Sequence, residues 1–218
     1  MQKRSLMLVL AHHWVYETSG ILHRDISDGN IMIRYIDGVQ RGVLVDWDLA
    51  SAPTALKVQT FGTMPFASVD LCADWPQNEY SYRHDLEAFM HLLAWFCACF
   101  VPPCERFEPS HLSVWYEECK GRSNLCRRFL AENLDQVREK AHPDYKALVD
   151  EWVKPLSRYF LEVTGPTYTF LTALHRVNLD VKWLVPGDMQ TIRREIERFT
   201  RERNEAITYE GFMACLGK

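Results

Sequence analysis

The sequence predicts a mainly α-helical protein carrying one short β-hairpin. Three observations lead there. Residues 88–101 (AFMHLLAWFCACFV) are apolar nearly all round, the mark of a helix enclosed by protein on every side. Residues 31–35 (IMIRY) and 42–47 (GVLVDW) are short apolar runs with Asp37-Gly38 between them, a strong hairpin signal. Residues 189–204 place Met189, Ile192, Ile196 and Phe199 on one stripe at helical spacing.

The remaining elements follow in chain order. Residues 1–19 are expected to be helical, with Leu6, Val9, Leu10, His13 and Val15 giving a one-sided pattern and Gly20 where the helix would stop. HRDISDGN (residues 23–30) is polar and loop-like. Residues 48–80 show little periodicity and are punctuated by Pro53, Gly62, Pro65 and Pro76, so a long ordered loop is expected. A loop of that length in a compact domain is usually functional. The central helix is expected over residues 82–101, with Asp85 and Glu87 in its first turn, where carboxylates suit the helix dipole. Residues 112–120, 126–141 and 145–163 read as mostly helical. Asp188 is the expected cap of the 189–204 helix, and Glu197 sits four residues before Arg201. The basic face of that helix (Arg193, Arg194, Arg198, Arg201) reads as a solvated surface.

Composition narrows the classes. Over 218 residues the chain is 47% hydrophobic and 25% charged, which is globular and long enough to bury a core unaided. A net charge of -4 gives no nucleic-acid footprint. The longest apolar run is shorter than the roughly 20 residues that span a bilayer, and it contains His91. The opening MQKRSLMLVLAHHW offers no small-residue cleavage site. An intracellular protein, cytoplasmic or nuclear, without a membrane or nucleic-acid partner is therefore expected. Cys97, Cys99 and Cys104 crowd together, but no Cys-x-x-Cys pair supports zinc, and thiols inside an apolar stretch usually just pack.

Asp25, Asn30 and Asp46 carry the chemistry. Loop residues before one hairpin strand and after its partner emerge at the same end, so Asn30 and Asp46 should lie side by side, with Asp25 in the loop leading in. Two carboxylates and an amide oxygen make a hard-oxygen site suited to Mg²⁺, with phosphate as the remaining ligand. A group left free of metal can orient a hydroxyl and take its proton. These are the components of phosphoryl transfer.

Four motifs in order carry a family resemblance. HRDISDGN resembles the protein-kinase catalytic loop H-R-D-x-x-x-x-N, and VDWD stands where kinases have D-F-G. GTMPFAS resembles the end of an activation loop, and HDLEAFMHLLAW the start of the central helix of the large lobe. The set is similar to the fungal-type protein kinase family. The resemblance implies a kinase-like C-terminal (large) lobe over residues 1–165, followed by a C-terminal helical extension over residues 166–218. It implies ATP-dependent phosphoryl transfer to Ser or Thr of a protein substrate, with Mg²⁺. Asp25 would be the catalytic base; Asn30 and Asp46 would hold Mg²⁺ against ATP. Thr63 would contact Asp25 on the substrate side. His23, Arg24 and Asp85 would support the loop, Asp85 by accepting hydrogen bonds from its backbone.

The chain departs from the family pattern in four places. Ser27 replaces the usual Lys two residues after the catalytic Asp, and Asp48 replaces the D-F-G glycine. Val69-Asp70 follows GTMPFAS in place of Pro-Glu. Residues 1–22 contain no G-x-G-x-x-G loop, and Lys3 is the only lysine before His23, so the N-terminal small lobe is expected to be absent. Two alternatives follow: an inactive, truncated kinase-like interaction module, or a small-molecule phosphotransferase. The latter usually carries H-G-D, and Arg24 argues against it.

Overall fold

The computed structural model describes residues 2–53, 63, 66–68, 71, 80–101, 105–106, 134–135, 137–139, 141–165 and 186–218. The first helix, α1 (Gln2–Ser19), ends at Gly20, whose φ of 68° takes the chain out of the helix while its N–H donates to Tyr16 O at 2.7 Å. The face α1 buries differs from the expected stripe. Leu8, Val9 and His12 are buried, whereas Leu10 is 42% exposed.

Strands β1 (Ile31–Ile36) and β2 (Val39–Leu44) form an antiparallel hairpin, in register from Ile31 opposite Leu44 to Ile36 opposite Val39. Asp37 and Gly38 have φ of 52° and 74°, the paired positive values of a type I′ turn. Such a turn starts pairing at the next residue. That is why β2 begins at Val39, three residues before the expected 42, and ends at Leu44, before Asp46.

The central helix α2 (Tyr82–Cys99) has 14 of its 18 residues buried, leaving no solvent face. At its start the Ser81 N–H donates to His84 Nδ1 at 2.8 Å. Two very short strands follow, β3 (Phe100–Val101) and β4 (Glu105–Arg106), pairing antiparallel where no strand was expected. Helix α3 starts as Pro143–Leu148, widens into a π-helical turn at Val149–Val153 and continues over residues 154–165. Helix α4 (Pro186–Ala206) begins before Asp188, so Asp188 lies inside the first turn and does not cap it. Proline tolerates that start because its missing N–H would be unsatisfied there anyway. On α4 the ion pairs centre on Arg198, with Glu195 at 2.5 Å and Glu202 at 3.3 Å, and not on Glu197–Arg201. Helix α5 (Tyr209–Cys215) is capped by Thr208, whose hydroxyl accepts from Gly211 N at 3.0 Å.

One apolar cluster joins these elements, among them Val9 of α1, Leu44 of β2, Phe89 of α2, Leu156 of α3 and Phe212 of α5. Asn204 near the end of α4 accepts from Arg83 Nε of α2 at 2.6 Å. Cys97 and Cys99 are fully buried in this core, and burial pushes the Cys97 thiol up to about 12, where it is inert. Among the described residues no cluster of three or more His, Cys, Asp or Glu is arranged to hold a metal, and no helix is long and apolar enough to cross a membrane. Cys104, the helices expected at 112–120 and 126–133, and most of the 48–80 loop lie outside the described residues.

Candidate functional site

Between α1 and β1 the chain makes a compact loop whose backbone is tied to α2. Asp85 of α2 is fully buried and accepts four hydrogen bonds. Its Oδ2 takes His12 Nε2 at 2.7 Å and the His23 N–H at 2.8 Å; its Oδ1 takes the Arg24 N–H at 3.0 Å and the Tyr80 hydroxyl at 2.6 Å. Desolvation raises the Asp85 pKa, but the His12 charge and hydrogen bond, with Tyr80, outweigh it and hold the carboxyl below its ordinary value. The same burial, together with the Asp85 charge, pushes the Tyr80 hydroxyl well up, so it stays a donor. Four donors on a buried carboxylate fix the loop against the rigid central helix.

That anchorage holds Arg24 at a φ of 71°, a conformation rare for residues with a Cβ and usually sustained only by surrounding structure. The Arg24 guanidinium lies 5.0 Å from the Tyr80 ring centre and donates to Ser51 Oγ at 2.6 Å. Ser51 and Leu22 also exchange backbone hydrogen bonds of 3.1 Å, which pins the chain after β2 beside the loop. His23 is completely buried. Its Nδ1 accepts from the Asp25 N–H at 3.3 Å and its Nε2 faces Val45 O at 3.0 Å. Those partners assign the neutral Nε2–H tautomer. Burial, the largest cause, lowers the His23 pKa in the same sense. His23 is a strut between loop and hairpin, and its ring packs edge-on against Trp47 at 4.5 Å.

Asp25 stands at the top of this scaffold, half-buried. Its Oδ1 accepts from both the N–H and the hydroxyl of Thr63, at 2.7 and 2.8 Å. Its Oδ2 accepts from Asn30 Nδ2 at 3.0 Å, and Asn30 Nδ2 also reaches Asp25 O at 2.9 Å. The structure therefore brings Asp25, Asn30 and Thr63 into one hydrogen-bonded unit across a sequence gap of 38 residues. Asn30 closes the short 3₁₀ turn Asp28–Asn30 and leads directly into β1. Its carbonyl accepts from the Val45 N–H at 2.9 Å, so Asn30 lies across from Val45 and Asp46 is the next residue along. Asp46 has φ of 62° and is exposed, and among the described residues its carboxylate has no hydrogen-bond or ion-pair partner.

The donor set fits a Mg²⁺ ion. Asn30 commits its amide nitrogen to Asp25, which leaves Oδ1 as its open group, and the Asp46 carboxylate, on the residue after Asn30's backbone partner Val45, is uncommitted among the described residues. Mg²⁺ commonly takes one or two protein oxygens and completes its shell with phosphate and water. Asn30 and Asp46 would hold it, and the ion would neutralise charge on phosphate oxygens.

The sequence did not single out His12 or Tyr80. Both reach Asp85, His12 from 73 residues away, and nothing local marks either. Ser27, at the position of the usual lysine, is buried and gives its carbonyl to Asn30 N at 3.2 Å. It supplies no charge to a phosphate.

Comparison with curated proteins and with solved structures gave no match. Residues 7–97, which hold most of α1, the Asp25 loop, the β1–β2 hairpin and nearly all of α2, match the fungal protein kinase family.

Proposed function

We propose that this protein is a kinase of the serine/threonine type, acting through a site on its large-lobe fold. It transfers the γ-phosphoryl group of Mg·ATP to a Ser or Thr hydroxyl of a protein. The observation that supports this reading most is the division of labour among three oxygen-bearing side chains. Asp25 is held in place by Asn30 and Thr63 and keeps its carboxylate at the surface of the loop. Asn30 Oδ1 and Asp46 are left for metal. Asp25 acts as the base that orients the acceptor hydroxyl and takes its proton as the new O–P bond forms and the bond from the γ-phosphorus to the β–γ bridging oxygen breaks, releasing ADP. Thr63, bonded to the same carboxylate, lines the acceptor side. Ser27, not lysine, stands two residues after Asp25, so charge on the transferring group would be neutralised by Mg²⁺, which Asn30 and Asp46 would hold.

Incubating the 218-residue chain with Mg·ATP and a Ser/Thr-rich protein such as casein tests the reading. Weak phosphate transfer to Ser and Thr is expected, and none at all favours the inactive kinase-like module. Asp25→Asn should lower it by about 10²- to 10⁴-fold, the usual contribution of a positioned base, with an unchanged circular-dichroism spectrum. Transfer that persists at the wild-type rate in Asp25→Asn removes Asp25 from the role of base.

A further inference from the structure

Below the β1–β2 hairpin lies a cavity of about 250 Å³, away from the Asp25 carboxylate. Its walls come from α1, the hairpin, α2, α3 and α5, including Leu8, Phe89, Leu92, Trp152, Leu156 and Phe212. All six are buried, so they form the interior. Two other lining residues are exposed and mark the mouth: Ile33 of β1, 47% exposed, and Asp28, which opens the 3₁₀ turn. Among the described residues Asp28 is the one ionisable side chain on the wall; the rest of the lining is aliphatic, aromatic or glycine.

This arrangement selects a ligand class. Water gains little inside such a space, because a buried water needs two to four polar partners and the interior side chains carry no polar atoms beyond the indole nitrogens of Trp95 and Trp152. An apolar wall facing a void forfeits dispersion contacts, and an apolar body restores them. The volume exceeds the roughly 150 Å³ that holds benzene in an apolar protein cavity, so a medium-length alkyl chain is accommodated. Among the described lining residues the one charge, Asp28 at the mouth, is negative, which favours a cationic head over a neutral or anionic one.

We propose that this cavity binds an amphiphilic amine, with the alkyl body between α1, α2 and α5 and the ammonium group at Asp28. The site is separate from phosphoryl transfer and does not depend on it. It adjoins the loop through Asp28–Asn30, the turn that carries Asn30 to Asp25.

Isothermal calorimetry with n-decylamine, n-decanol and n-decanoate, each below its self-association concentration, tests the proposal. Decylamine should bind saturably at one site, about fivefold tighter than decanol, the size of a part-exposed charge pair, and decanoate should bind weakest. Asp28→Asn should abolish the preference for the amine and leave decanol binding intact. Ile33→Trp should block both amine and alcohol by filling the mouth, with its fold checked by circular dichroism. Absence of saturable binding by the unmodified chain overturns the proposal. So does equal affinity for amine and carboxylate, or an amine preference that survives Asp28→Asn. The Asp28→Asn result decides the matter even where Ile33→Trp does not fold.

Discussion

Asp85 and Asp46 are both aspartates next to the same loop, and the chain uses them in opposite ways. Asp85 is wholly buried and receives four donors from α1, the loop and Tyr80. Asp46 is exposed at the open end of the hairpin and has no partner among the described residues. A carboxylate with every lone pair engaged can hold a backbone still, but it has nothing left to offer a ligand. A carboxylate left unpaired beside an ordered amide gains nothing for the fold, and its unspent oxygens are what a cation needs. Both Arg24 and Asp46 sit at positive φ. The first is over-determined by the bonds to Asp85, and the second follows the exit of the chain from β2. Scaffold and site are thus separate parts of one structure.

Removing the scaffold carboxylate should produce the largest effect. Asp85→Ala leaves the backbone N–H groups of His23 and Arg24 without their acceptor and strips His12 of its partner. Breaking a buried charged network of this kind costs about 3 to 5 kcal/mol. Chemical denaturation should show that loss, and a midpoint within error of wild type would mean that Asp85 does not brace the loop.

A smaller effect should follow from acid. Burial, before any other cause, depresses the pKa of His23 and His91 below the ordinary 6.5. Between those depressed folded values and 6.5 the unfolded chain binds protons that the folded chain does not, so stability falls as pH drops. Asp85 acts in the same direction lower down: its folded pKa lies below 3.8, so its contribution is lost as pH falls through that range. Melting temperature measured from pH 8 to pH 3 should therefore decline in two stages, the first beginning near 6.5. A flat profile between pH 7 and 5 would contradict the neutral, buried state of the two histidines.

The smallest effect on stability is expected at the other carboxylate. Asp46→Asn should leave the denaturation midpoint unchanged, because no side-chain bond among the described residues depends on it. A clear loss would show that Asp46 belongs to the scaffold after all.

How much of this was legible in the sequence depends on how local each signal is. The hairpin turn was readable because Asp37-Gly38 dictates its own backbone, and α2 because its run from residue 88 on is apolar nearly all round and must be enclosed. Asp25 and Asn30 were readable as neighbours because one short loop carries both into β1, whereas for Asp46 topology shows only that its neighbour Val45 pairs with the Asn30 backbone. The buried face of α1 was not. His12 reads as a surface residue until Asp85 supplies its partner. The start of β2 was misplaced because Val39, Gln40 and Arg41 pair under the compulsion of the turn, not for burial. The β3–β4 pairing escaped because each strand is two residues long, too short to carry an alternation, and residues 100–101 were expected to continue the central helix. On α4 the Arg198 pairs satisfy the same spacing rules as Glu197–Arg201, so sequence spacing does not distinguish them.

The account stands or falls on Asn30 and Asp46 sharing a metal–phosphate site beside Asp25. The most direct measurement is paramagnetic broadening by Mn·ATP, with Mn²⁺ standing in for Mg²⁺, followed on the side-chain amide of Asn30 by ¹⁵N-resolved NMR. The Asn30 signal should vanish at low Mn·ATP while the amides of α5 stay sharp, and Asp46→Asn should restore it. An Asn30 signal that stays sharp as Mn·ATP rises, or one that broadens equally in Asp46→Asn, would mean these residues do not gather a metal-bound phosphate.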